Sequence, residues 1–229
     1  MHYKNELKKA FQVSIPVMMG YFVLGFAFGL LLVSFDYDWY LAPIMSLFIY
    51  AGALQFVAVG FFNAKLGLID IAIATWFVNI RQSFYGLSLL KRFKETKPFK
   101  NYLIFGLTDE TYALLTTIKD DKDLSKKHYY FFLTALNQSY WFVGSTLGAV
   151  VGSSIAFNTQ GVEFSLTALF VVLCIEQYKN LQNFTPFLIG LFASVLALVF
   201  IPSSQMLIAS IVIALILLLF FKKKVADNE

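Results

Sequence analysis

The 229-residue sequence is 59% apolar and 14% charged, with a formal net charge of +4, and its mean hydropathy is +0.69. Soluble domains carry about 25% charged residues, so roughly half of the usual solvating surface is missing, which excludes a water-soluble globule of this length. The single cysteine, Cys174, excludes an internal disulfide and a cysteine-cluster metal site.

In chain order, a basic start (Lys4, Lys8, Lys9) leads into an apolar run from Phe11 to Val33. This run exceeds the roughly 7–15 residues of a signal-peptide core and is read as a retained first helix. Further apolar runs occupy 41–62, 68–90, 101–118, 128–152, 164–178, 184–201 and 205–221. A spanning helix needs about 20 residues; 164–178 is short, and 101–118 carries Asp109 and Glu110 near its centre. The pattern predicts an all-α integral membrane protein, a polytopic bundle of about six to eight apolar helices, organised as one domain over 1–229.

Charge placement constrains the topology. Basic residues cluster at 4–9, 91–100, 119–127 and 222–224, whereas the links 34–40, 153–162 and 202–204 have none, and the first of these holds Asp36 and Asp38. By the positive-inside rule the termini and both central basic loops are cytoplasmic. Eight full crossings conflict with that arrangement. The conflict disappears when one of 41–62 and 68–90 is broken or re-entrant and 101–118 dips in and returns. The alternative is that the rule fails at one loop. Irregular backbone at membrane depth is tolerated only inside protein or along a cavity, so the charge pattern favours a transport-type core.

Four polar places stand out within apolar runs. Gln55 follows small residues at 51–53, which permit close packing or a local break. Arg81 lies midway along 68–90 among Asn79, Gln82, Ser83 and Tyr85; at such depth a guanidinium is costly unless paired or hydrated. Arg81 and Tyr85 share a helix face. Asp109 and Glu110 are adjacent and point about 100° apart on a helix, so one is free to pair Arg81 while the other exchanges a proton; the competing reading is that both are simply solvated near an edge. Asn137 and Gln138 precede Gly144, Gly148 and Gly152, and Gly25 and Gly29 repeat that spacing. These glycines read as close helix contacts, with Asn137 and Gln138 as interhelical hydrogen-bond groups. Metalloprotease, P-loop and nucleophile-elbow motifs are absent from the sequence, so no enzymatic activity, cofactor, metal or nucleic-acid partner is expected.

Three motifs, Tyr50-Ala51-Gly52-Ala53-Leu54-Gln55-Phe56, Asn79-Ile80-Arg81 through Tyr85-Gly86, and Gly106-Leu107-Thr108-Asp109-Glu110, resemble in order and spacing those of the AzlC family of bacterial branched-chain amino-acid exporters. The resemblance runs from Phe11 through the Gly144–Gly152 series and more loosely to Phe220. It implies a multi-pass permease of the bacterial inner membrane that exports valine, leucine, isoleucine and similar apolar amino acids. It also implies a small AzlD-like membrane subunit as partner. Gln82 departs from the histidine that often follows the motif arginine in the family, which bears on proton coupling. On this reading Gly52, Gln55, Asn79, Arg81 and Tyr85 line the substrate site, and Arg81, Asp109 and Glu110 serve ion pairing or proton coupling. Arg81 or half-helix N-termini would take the substrate carboxylate. A scaffold subunit or passive channel, with polar residues that only hold helices together, is the alternative.

Overall fold

The computed structural model describes residues 3–63, 66–117, 124–154, 171, 174–175, 178–179, 184–202 and 206–220. All regular elements among them are helical: α1 (Lys4–Ser34), α2 (Leu41–Phe48), α3 (Gly52–Asn63), α4 (Leu68–Phe93), a 3₁₀ turn (Lys94–Thr96), α5 (Lys100–Phe105), α6 (Asp109–Thr117), α7 (Lys126–Ser154), α8 (Thr185–Phe200) and α9 (Met206–Phe220). The expected segment 164–178 lies largely outside the described residues, as do Glu163, Glu176, Lys119, Lys122, most of the 153–162 link and the 222–224 tail.

Among the described residues one helix, α1, is both long and apolar enough to cross a membrane. At about 1.5 Å per residue, its 31 residues exceed the roughly 30 Å hydrocarbon core. Helices α4 and α7 have 26 and 29 residues, so they have the length, but both carry polar side chains. A left-handed Asp36 (φ 62°) ends α1, its N–H bonding the Val33 carbonyl at 3.0 Å; aspartate tolerates that backbone region better than most residues.

Two of the apolar runs are broken rather than continuous. Run 41–62 splits into α2 and α3 at residues 49–51, and 101–118 splits into α5 and α6 at residues 106–108. Run 68–90 is one unbroken helix despite Arg81. The first break is carried by Tyr50, at φ 42°. A bulky side chain in the left-handed region costs on the order of 1–2 kcal/mol, so the bend is imposed by the packing around it. At the second break Gly106 lies so close to α7 that a Cβ there would strike the Thr134 side chain.

The described residues form two compact units, one of 1–59 with 79–162 and one of 60–78 with 163–229. In the first, α1 and α7 pack along their length through their glycines. A Cβ on Gly25 would lie 3.0 Å from the Ser145 backbone nitrogen, and one on Gly144 would lie 3.0 Å from the Phe22 carbonyl oxygen. At Gly29 and Gly148 an added Cβ would collide outright with the facing backbone of Ser145 and Phe26, respectively, while at Gly152 it would meet the Leu30 side chain at 3.2 Å. Small-xxx-small spacing therefore does here what it is known for, letting two backbones touch. At one end of this unit Ala10, Leu89, Phe93, Leu103, Leu115, Tyr130 and Leu133 form an apolar cluster. In the second unit α8 and α9 pack as a pair, with Ala193 and Ala197 fully buried where small side chains permit approach.

Candidate functional site

Helix breaks leave backbone groups without intrahelical partners, and the first unit surrounds both breaks with polar side chains from α1 and α7. The Gln138 amide donates to the Leu47 carbonyl of α2 at 3.3 Å and accepts from the Tyr102 hydroxyl of α5 at 2.7 Å. One α7 side chain thus ties an end of each broken pair. At the start of α6 the Thr108 hydroxyl accepts the Thr111 N–H at 3.3 Å, the usual service of an N-terminal threonine. The ring of Tyr50 meets that of Phe105 at 6.5 Å, which brings the two breaks side by side.

Gln55 is fully buried. Its carbonyl accepts the Trp141 indole N–H at 2.8 Å, its amide donates to Ser46 at 3.4 Å, and Ser46 meets the Ser145 hydroxyl at 2.7 Å. Both ends of Gln55 are therefore engaged within the protein. Gly52 lies against the same tryptophan: a Cβ there would sit 3.0 Å from the Trp141 ring. Around this ring Tyr21, Phe28 and Phe56 pack with centroids at 5.5, 6.3 and 6.5 Å. Gly52 and Gln55 belong to a closed aromatic and amide cluster.

The open polar ground lies between α4 and α6. Arg81 pairs with Asp109 at 2.8 Å, each side chain one-third exposed. The pair is incomplete: Arg81 Nε and Asp109 Oδ1 are buried with no hydrogen-bond partner. Tyr85, one turn along α4, stacks on Tyr112 of α6 at 4.3 Å and 14°, and its hydroxyl lies close to Asp109. Asn79, half-buried on α4, also has polar company. Asp109 is thus the carboxylate beside the arginine.

Glu110 faces another way. The Tyr21 hydroxyl donates to Glu110 Oε2 at 2.6 Å and lies 2.7 Å from the Thr108 oxygen. Thr108 donates to Thr111 at 3.1 Å, and the Asn137 amide donates to Thr111 at 2.9 Å. The Asn137 carbonyl and the Tyr50 hydroxyl are buried without a hydrogen-bond partner, the latter with Tyr21, Thr108 and Glu110 as polar neighbours. Sequence reasoning missed Tyr21, Thr108 and Thr111 as site residues. A lone hydroxyl on an apolar run is the only available signal, and it is weak. It missed Glu6 as well, a buried carboxylate that accepts the Ser125 N–H at 3.1 Å and so caps the start of α7, where negative charge is favourable. Among the described residues no group of three or more His, Cys, Asp or Glu side chains could hold a metal ion.

The AzlC protein family model matches residues 16–155, which contain both breaks, the Arg81–Asp109 pair and the glycine contacts. An uncharacterized membrane protein of Helicobacter pylori is 42% identical over 98% of this chain and 99% of its own. The branched-chain amino acid transport protein AzlC of Bacillus subtilis is 36% identical over 88% of this chain and 79% of its own. The inner membrane protein YgaZ of Escherichia coli is 30% identical over 80% and 78%. No solved structure matches the chain. The chain belongs to the AzlC family.

Proposed function

We propose that the chain is the large permease subunit of an exporter of branched-chain and similar apolar amino acids in a bacterial inner membrane. The observation that carries this reading is the one-third-exposed Arg81–Asp109 pair beside a broken helix, with one polar atom on each partner unmatched. A zwitterion is the ligand such a pair suits. Its carboxylate takes Arg81 and its ammonium takes Asp109, so one ion pair is exchanged for two and no net charge enters the bilayer. Charge-assisted hydrogen bonds of this kind are worth roughly 1.5–3 kcal/mol each. The stacked Tyr85 and Tyr112 rings offer an apolar face to the substrate side chain. Discrimination by one methylene is worth only about 1–3 kcal/mol, so a panel of apolar amino acids is carried rather than one. The Bacillus relative's name supports the substrate class.

Export against a gradient is coupled to proton entry, the chain works with a small AzlD-like membrane subunit, and its termini face the cytoplasm with the basic loops. No catalytic reaction belongs to this reading. The fully engaged Gln55, Trp141, Ser46 and Ser145 cluster favours a second role for part of the polar content, holding helices together.

The test is efflux of labelled leucine, isoleucine, valine and methionine, with lysine and glutamate as controls, from cells expressing the chain with and without the small subunit. Export of the apolar set alone, abolished when the proton gradient is collapsed, is the expected result. Downhill flux indifferent to the gradient identifies a channel, and absence of flux in both strains identifies a scaffold.

A further inference from the structure

Two adjacent carboxylates, Asp109 and Glu110, stand at the start of α6, and the structure gives them different company. Asp109 has a guanidinium at 2.8 Å. Glu110 has neutral hydroxyls: Tyr21 of α1 at 2.6 Å, and beyond it Thr108 at 2.7 Å. The titratable or charged groups facing Glu110 are Tyr21 from α1, Tyr50 from the α2–α3 break and its neighbour Asp109. Among the described residues no cation forms an ion pair with it. A buried charge with no counter-ion is costly, and a proton is the one counter-charge that reaches Glu110 without displacing a side chain.

The hydroxyls next to Glu110 form a chain that serves either state. The contacts run Glu110, Tyr21, Thr108, Thr111 and Asn137, at 2.6, 2.7, 3.1 and 2.9 Å in turn. Each hydroxyl has one proton to give and lone pairs to receive. With Glu110 ionised, Tyr21 donates to the carboxylate and Thr108 donates to Tyr21, while Asn137 donates to Thr111. With Glu110 protonated, the acid O–H donates to Tyr21, Tyr21 to Thr108, and Thr108 to Thr111, which still accepts from Asn137. One proton is added at Glu110, the hydroxyl protons of Tyr21 and Thr108 rotate, and no heavy atom has to move. A carboxylate locked to an arginine has no such alternative.

Resting on the proton-coupled reading above, we propose that Glu110 is the residue that takes up and releases the coupling proton, and that Tyr21, Thr108 and Thr111 form the reversible hydrogen-bond chain that stabilises both of its states. Asp109, paired with Arg81 at 2.8 Å, is left to the substrate. The duties of binding and coupling are thereby divided between neighbouring residues on one helix.

The division is tested on the purified chain in lipid vesicles by infrared difference spectroscopy during a pH titration. A carboxylic-acid band should grow as pH falls, vanish in Glu110→Gln, persist in Asp109→Asn, and shift in Tyr21→Phe, which removes the hydrogen bond at 2.6 Å without removing the acid. A band that survives Glu110→Gln, or no titrating band in the wild type, overturns the assignment. In flux measurements Glu110→Gln should keep exchange of labelled for unlabelled leucine and lose acceleration by an imposed pH gradient; a wild-type response to the gradient overturns it too. If the wild type carries no leucine, the transport reading has failed, while the infrared titration still decides whether Glu110 is the proton-exchanging group. Should Glu110→Gln fail to fold, the Tyr21→Phe shift carries the same decision.

Discussion

At the scale of single residues, buried polar groups divide into those that are satisfied and those left with an unmatched atom, and the two sorts have different consequences on substitution. The Trp141 indole is the partner of the Gln55 carbonyl at 2.8 Å, in a fully buried setting. Trp141→Phe removes that donor and strands an acceptor, which costs about 1–3 kcal/mol, together with the smaller ring's lost packing. A drop in the thermal unfolding midpoint of the detergent-solubilised protein should register it. Arg81 and Asp109 answer differently, through flux more than stability, because a third of each side chain is left uncovered by the protein. The identity of these polar residues was legible in the sequence, since charged and amide groups in apolar runs announce themselves by their cost. Which carboxylate meets the arginine was not, because adjacent residues on a helix differ only in azimuth, and the azimuth is set by how α6 begins at Thr108. Tyr21 was invisible for the opposite reason: a tyrosine in an apolar run is usual, and only contact with Thr108 and Glu110 gives it a role.

At the scale of elements, glycine decides how near two helices come. Gly29 and Gly148 admit no Cβ without collision with the facing backbone, whereas Gly20 has nothing within 4 Å of an added Cβ. Gly29→Ala or Gly148→Ala should therefore lower thermal stability, by at least the roughly 1–3 kcal/mol typical of overpacking. Gly20→Ala, also inside α1, should be neutral or stabilising by about 0.5–1 kcal/mol, since alanine loses less backbone entropy in a helix. Equal effects at Gly20 and Gly148 would remove the argument for close α1–α7 contact. The glycine spacing made this contact legible in advance. The break at residues 49–51 was half legible: the small residues that follow allow it, but nothing local compels Tyr50 into the left-handed region. At the break at 106–108, the glycine is fixed by Thr134, which leaves no room for a Cβ at Gly106 and is far away in sequence. Conversely, α4 continues unbroken through Arg81, as expected of a good helix-forming residue, and Asp109 of another helix supplies its partner.

At the scale of the whole molecule, composition made an all-helical membrane protein legible, whereas orientation and function rest on where charge and polarity fall. Two split runs and one continuous one are compatible with basic loops on a single side, which eight simple crossings are not. Cysteine introduced at Lys94, in a chain whose Cys174 is replaced by serine, should react with an impermeant maleimide only from the cytoplasmic side; cysteine at Asp38 should react only from the other. Labelling of both positions from one side would undo the topology. The transport claim meets its most direct check in labelled leucine efflux from cells carrying Arg81→Ala or Asp109→Asn, with membrane levels matched to wild type. Each substitution is expected to slow efflux about tenfold or more, the consequence of losing one charge-assisted contact. Wild-type efflux from both variants would contradict the claim that this pair receives the substrate.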